Sequence, residues 1–133
     1  MSISIPEKLT YLLEQPVVAS LATIMPDGLI QVNPVWIGYD GTHIQFSSLQ
    51  ASQKSRNVQE RGFATMLLVD PQNAFAWIEI RGRVSEATTE GAFEFIDVLA
   101  KKYLGLDKYP NNQEGDVRFT YTITPERIKT SGA

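Results

Sequence analysis

Residues Ala74–Ser85 constrain the fold more than any other stretch. Ala74, Ala76, Ile78, Ile80, Gly82 and Val84 fall on one side of an extended chain, and Phe75, Trp77, Glu79, Arg81 and Arg83 on the other. A strict period of two belongs to a β-strand, and one apolar face requires a sheet with a core beneath it. Gly82 lies in the apolar row, where a missing side chain marks a bulge or a close backbone approach. The opposite row joins two large aromatics to arginines. That combination is enriched at protein interfaces rather than on solvated strands, so this face predicts a subunit contact.

The remaining segments supply partners for that strand. Val17–Ile24 is rich in β-branched residues and stops at Met25-Pro26-Asp27-Gly28, a sequence built for a turn. Leu29–Tyr39 is expected as a second strand, Asp40-Gly41 as the next turn and His43–Ser48 as a third strand, giving a meander. Phe63–Val69 is almost continuously apolar and is expected to be buried on both faces. Val117–Ile123 makes a sixth strand, with Ile128–Ser131 adding a short piece after Pro125. Helices are predicted over Pro6–Glu14, opened by the capping-box pattern Ser4-Ile5-Pro6-Glu7, over Ser52–Glu60, and over Thr88–Tyr103, stopped by Gly105. Leu106–Asp116 is the one long loop. The predicted class is mainly β with α insertions: a six-stranded antiparallel barrel with about three helices, in one domain over residues 1–133.

Composition narrows the chemistry. A net charge of −3 opposes phosphate-backbone binding, so nucleic acid is not an expected partner. With no cysteine and one histidine, thiolate nucleophiles, disulfides and multi-histidine metal sites within one chain are excluded. No apolar run approaches the ~20 residues that span a bilayer, and Met1–Glu7 has neither the basic region nor the apolar core of a signal peptide. No membrane partner and a cytoplasmic location are therefore expected. Asp27, Asp40 and Asp70 occupy turn positions, and Glu90, Glu94 and Asp97 suit the first turns of a helix. His43, beside a turn, reads as structural or solvated. No carboxylate pair or nucleophile–base arrangement stands out.

Two stretches carry chemistry instead. In Phe46–Asn57 a strand ends in Ser47 and Ser48 and runs into a helix start bearing Ser52, Gln53, Lys54 and Arg56. Unpaired N–H groups at a helix N-terminus favour an anion, and two cations beside them form a phosphate cradle, unless the segment is simply a solvated amphipathic helix. No Walker-type loop or dinucleotide-binding glycine motif occurs. In Gln31–Trp36, Pro34 withholds a ladder donor, which implies an edge or a bulge. Backbone freed there can bond a heterocycle with Trp36 stacked on it, or Trp36 is a core residue beside an ordinary edge proline. An anion cradle without side-chain catalysts points to a bound cofactor as the source of the chemistry.

Taken in order, Val18-Ala19-Ser20-Leu21-Ala22-Thr23 with Asp27-Gly28, Asn33-Pro34-Val35-Trp36, Gln53-Lys54-Ser55-Arg56-Asn57, Glu79-Ile80-Arg81-Gly82-Arg83-Val84, Lys101-Lys102-Tyr103-Leu104-Gly105 and Pro125-Glu126-Arg127 span nearly the whole chain. This series resembles the flavin-binding split-barrel superfamily related to pyridoxamine 5′-phosphate oxidase. It is most similar to the small branch of coenzyme F420-dependent oxidoreductases.

The resemblance implies a homodimer with two interfacial sites for coenzyme F420 (a deazaflavin) or FMN. It places the ring along Val32, Asn33, Pro34, Val35 and Trp36 and along Phe46, Ser47 and Ser48. It places the phosphate on Gln53, Lys54 and Arg56, and it draws Trp77 and Arg81 from the partner chain. The implied reaction is hydride transfer to a small organic electron acceptor such as a quinone or enone. An FMN-dependent oxidoreductase of the same fold, or a non-catalytic binder of a flavin- or haem-type ligand, are the alternatives. True pyridoxamine phosphate oxidases carry a C-terminal basic substrate-binding cluster that Arg127–Ala133 does not match, so that oxidation is not expected here.

Overall fold

The alternation in Ala74–Ser85 produces a strand longer than predicted, Asn73–Thr88, in the computed structural model, which describes residues 4–132. In chain order the elements are a 3-10 turn (Glu7–Leu9), α1 (Tyr11–Glu14), β1 (Ala19–Ile24), β2 (Ile30–Val35), β3 (Ile37–Tyr39), β4 (Ile44–Leu49), α2 (Gln53–Arg61), β5 (Phe63–Asp70), β6 (Asn73–Thr88), α3 (Ala92–Leu104) and β7 (Arg118–Ser131). The strands form one antiparallel sheet in the order β2-β1-β5-β6-β7-β4-β3.

That order carries a strong restraint. β2 and β3 are the two edges of the sheet, yet Trp36 alone separates them in the chain. Two residues of extended chain reach no more than about 7 Å. The sheet must therefore curl until its edges meet at Trp36. From there β2 runs off paired with β1 and β3 runs off paired with β4, leaving the barrel split between them.

The class is mainly β with helical insertions, as predicted, but with seven strands rather than six. The extra strand comes from Leu29–Tyr39, which divides at Trp36 because its two halves pair with different neighbours. The two C-terminal pieces instead fuse into β7. The pairing slips there, from Arg81 opposite Arg127 to Gly82 opposite Pro125, which absorbs Glu126 as a bulge. Pro34 sits in an edge strand, where a missing N–H costs no ladder bond on the open side.

Three further expectations are corrected. The helix over Pro6–Glu14 is a 3-10 turn followed by the single turn of α1, and the capping box does not form. Pro6 is extended (ψ 133°), so helical geometry starts only at Glu7 and no side chain caps it. β5 is buried on one face only: Ala64, Met66 and Leu68 point inward, while Phe63 (47% exposed) and Leu67 (38%) point out. α3 begins at Ala92 rather than Thr88, because β6 keeps the chain in the sheet through Thr88. Gly105 ends it in the left-handed conformation, as expected.

The core fills the inside of the curl. Leu12 and Leu13 of α1, Leu21, Phe46, Met66 and Ile78 are fully buried there. Tyr121 stacks on Phe46 at 5.1 Å, and its hydroxyl accepts from Gln59 Nε2 at 2.8 Å, so a large aromatic is buried without an orphaned polar group. α2 is fastened by Val58 and by Asn57, whose Nδ2 donates to Thr23 Oγ1 at 3.0 Å. Among the described residues no helix is long and apolar enough to cross a membrane.

Gly82 combines the bulge with a close approach. A Cβ there would collide with Ile123 Cγ2 and lie 2.7 Å from the carbonyl oxygen of Thr124. Because one obstacle is backbone, Gly82→Ala is expected to cost about 1–3 kcal/mol of stability, read as a lower urea midpoint at constant m-value. An unchanged midpoint would show that the β6–β7 bulge yields freely.

Candidate functional site

The corner at Trp36 is held by two consecutive residues near the end of α3. The hydroxyl of Tyr103 accepts from the Ile37 N–H at 3.1 Å and donates to the Val17 carbonyl at 2.8 Å. Lys102 Nζ donates to the carbonyls of Ile37 at 2.8 Å and Leu13 at 2.6 Å. Backbone groups that leave the ladder where the strand breaks thus find partners on the helix. The Trp36 indole stacks on Tyr103 with centroids 5.3 Å apart and meets the edge of Tyr109 at 6.0 Å.

Docking α3 this way leaves a cavity of about 380 Å³ between the helix and the outer face of the sheet, within the range of small-molecule sites. Ile96 and Leu99 line it from α3. Val18, Pro34, Val35 and Trp36 line the β1–β2 side, and Tyr109 comes from the long loop. At the far end Ser47, Ser48 and Leu49 meet Ser52 and Lys54 at the start of α2, with Arg118 from the first position of β7. Ser52 caps α2, its hydroxyl accepting from Ser55 N–H at 3.3 Å, and it sits 2.6 Å from the Ser48 hydroxyl.

The electrostatics of that end are one-sided. Burial lowers the pKa of Lys54, and the neighbouring charge of Arg118 lowers it further. Arg118 is only 6% exposed. Its Nη1 donates to Ser47 Oγ at 3.1 Å and its Nη2 to Asn112 Oδ1 at 3.3 Å, while its guanidinium lies 5.1 Å from the Tyr109 ring centroid.

Of the residues expected to hold a cofactor, the structure brings Pro34, Val35, Trp36, Ser47, Ser48 and Lys54 to one cavity. Val32 instead points out from the sheet, 60% exposed, and Asn33 bonds back to the Val32 carbonyl. Gln53 and Arg56 are engaged with one another at 2.7 Å, Gln53 also with Asn57 and Arg56 also with the Ala51 carbonyl. Trp77 and Arg81 lie on the outer face of β6, where Arg81 pairs with Glu79 at 2.9 Å. Cross-strand registry puts Val32, Ala22, Thr65 and Arg81 in one row and Pro34, Ser20, Leu67 and Glu79 in the next. Pro34 therefore belongs both to the cavity rim and to the outer sheet face.

Arg118, Tyr109, Ile96 and Leu99 were not anticipated. A signal for Arg118 existed in the sequence, where Arg118, Thr120 and Thr122 alternate with Phe119, Tyr121 and Ile123. That pattern shows a polar row on a strand, but the helix that buries this row comes only with the tertiary fold.

The curled, split antiparallel barrel with a cationic cavity beside its seam places the chain in the split-barrel class of folds. The sequence profile of the pyridoxamine 5′-phosphate oxidase family matches residues 5–132, and the chain belongs to that superfamily of flavin- and F420-binding split barrels. Among solved structures it is similar to an F420 reductase, with 30% identity and a TM-score of 0.83 over 94% of this chain and 98% of that one. It also shares its fold with HupZ of Group A Streptococcus (21% identity, TM-score 0.69, 95% and 93% covered). A conserved protein of Mycobacterium tuberculosis gives 19% identity and a TM-score of 0.74, with 98% and 86% covered. No curated protein matches the sequence.

The clamp on the Trp36 corner has a pH signature. Burial pulls the Lys102 pKa down to about 8 from 10.5, with Glu14 opposing the shift. Between those values the unfolded chain binds more protons at this residue than the folded one, so this group adds stability as pH rises through the window and loses it as pH falls through 8. Relative to Lys102→Met, the wild type is expected to gain stability from pH 8 to 10.5 in urea unfolding. Parallel curves for the two proteins would show that the Lys102 ammonium is solvated.

Proposed function

We propose that the protein is an oxidoreductase that holds FMN or the deazaflavin coenzyme F420 in the cavity beside Trp36 and passes hydride to a small organic acceptor such as a quinone or enone. The observation that carries this reading is the cavity itself: an aromatic and aliphatic slot that ends in Lys54, Arg118 and the start of α2. Its shape and charge fit a flat heterocycle bearing a phosphate. Family membership and the likeness to an F420 reductase support the same assignment.

When bound, the ring supplies the hydride chemistry. The chain's own residues position and shield it. Lys54 offers a charge-assisted hydrogen bond to phosphate, reinforced by the helix terminus. Ile96 and Leu99 exclude water from one wall, and Trp36, fixed by its stack on Tyr103, gives a rigid aromatic surface. No carboxylate or histidine lines the cavity, so a proton for the product is drawn from solvent. The same lack favours one second reading, a binder that holds such a ligand without turning it over.

A homodimer belongs to this proposal. Val32, Leu67 and Phe63 lie on the outer face of β2 and β5, with Ile30 (67% exposed) beside them, an apolar surface unusual on a monomer. A second copy seated there would abut the cavity rim at Pro34 and bring Trp77 and Arg81 of the shared face into play. Sedimentation is expected to give a dimer for the wild type and a monomer for Leu67→Glu, and a monomeric wild type at micromolar concentration defeats the shared-site arrangement.

Fluorescence titration is expected to show binding of FMN or coenzyme F420, with stopped-flow reoxidation by quinones separating an enzyme from a binder. Lys54→Ala is expected to weaken affinity by about 1.5–3 kcal/mol. A wild-type protein that binds neither cofactor would falsify the assignment.

A further inference from the structure

Arg118 is buried with less support than its charge requires. Its two terminal nitrogens meet neutral acceptors, Ser47 Oγ and Asn112 Oδ1, and its Nε has no hydrogen-bond partner. The ion pairs among the described residues involve His43, Arg61, Arg81, Arg83 and Lys101, and neither Arg118 nor Lys54. Both cations line the same end of the cavity. A guanidinium removed from water without a counter-charge is costly, and a half-buried ammonium beside it adds to that cost. An anion seated between them relieves it.

The other candidate cation is turned away. Arg56 is exposed, and its guanidinium is spent on the Ala51 carbonyl and Gln53 Oε1, on the outside of α2.

We propose that Arg118 and Lys54 together clasp the phosphate of the ligand, with Arg118 as its deep anchor and Arg56 taking no part. This rests on the cofactor reading and specifies which atoms recognise the ligand's charge. Ser47, Asn112 and the Tyr109 ring hold the guanidinium in place, so it is pre-oriented rather than ordered on binding. A planar guanidinium whose two terminal nitrogens each keep a second N–H, with a point-charge ammonium beside it, suits the oxygens of one phosphate. The clasp serves a phosphate monoester, as in FMN, or a phosphodiester, as in the deazaflavin.

The test compares FMN, coenzyme F420 and riboflavin, which lacks the phosphate, by fluorescence titration. Wild type is expected to bind FMN at least about tenfold more tightly than riboflavin. Arg118→Met is expected to lose about 10- to 100-fold for FMN or F420 while riboflavin affinity changes less than threefold, with Arg118→Lys falling between. Circular dichroism and thermal melts establish that the variants fold. Equal affinity of wild type for FMN and riboflavin overturns the clasp without any variant. A folded Arg118→Met that binds FMN as wild type does also overturns it, and leaves the cofactor reading standing. Conversely, a wild type that binds none of the three ligands, yet is stabilised by pyrophosphate only when Arg118 is present, upholds the clasp and removes the cofactor reading.

Discussion

The structure depends on one residue of chain. Trp36 joins two strands that lie at opposite edges of a seven-stranded sheet, and no flat arrangement allows that. The sheet must roll up, and where its edges converge the backbone leaves one ladder and enters another. Such a corner strands polar groups, and they must be paired or solvated. Tyr103 and Lys102 meet this need from α3, which is why the helix sits against the seam and not elsewhere on the barrel. The cavity follows from that docking, as the space left between a helix pinned near its C-terminal end and the sheet it spans.

Electrostatics give the cavity direction. One end is aromatic and aliphatic, from Trp36, Ile96 and Leu99; the other holds Lys54 and Arg118 with no opposing carboxylate, and Tyr109 lies between them. A protein normally neutralises cations placed so close together, as this one does on its surface with Arg81–Glu79 and Arg83–Glu126. Leaving the buried Arg118 and the half-buried Lys54 beside it unneutralised carries a stability penalty. The outer sheet face adds a second asymmetry. Its β1–β2–β5 half is apolar and its β6–β7 half charged, and Pro34 connects that face to the cavity mouth.

Much of the fold was legible because it is written locally. The alternation through Ala74–Ser85 set β6, the turn at Pro26-Asp27-Gly28 set the β1–β2 hairpin, and Gly105 set the end of α3. Two of the errors share one cause, which is competition between local pattern and distant partners, and the third is a matter of local backbone. Leu29–Tyr39 reads as one strand, but its halves pair with β1 and β4. Phe63–Val69 reads as wholly buried, but it has a core on only one side. Ser4-Ile5-Pro6-Glu7 reads as a cap, but the extended Pro6 delays the helix.

The site divides in the same way. Ser48, Ser52 and Lys54 are adjacent in sequence, and a strand running into a helix start is enough to announce an anion cradle. The sequence by itself therefore determined the class of fold, the family resemblance and one side of the cavity. Only the tertiary structure decided the rest: that Arg118, sixty-four positions beyond Lys54, is the second cation, and that Arg56, two positions away, faces outward. The reason is geometric. Neighbours along a helix diverge by about 100° per residue, whereas the β4–β7 pairing sets Leu49 opposite Arg118 and so brings the far end of the chain to the head of α2.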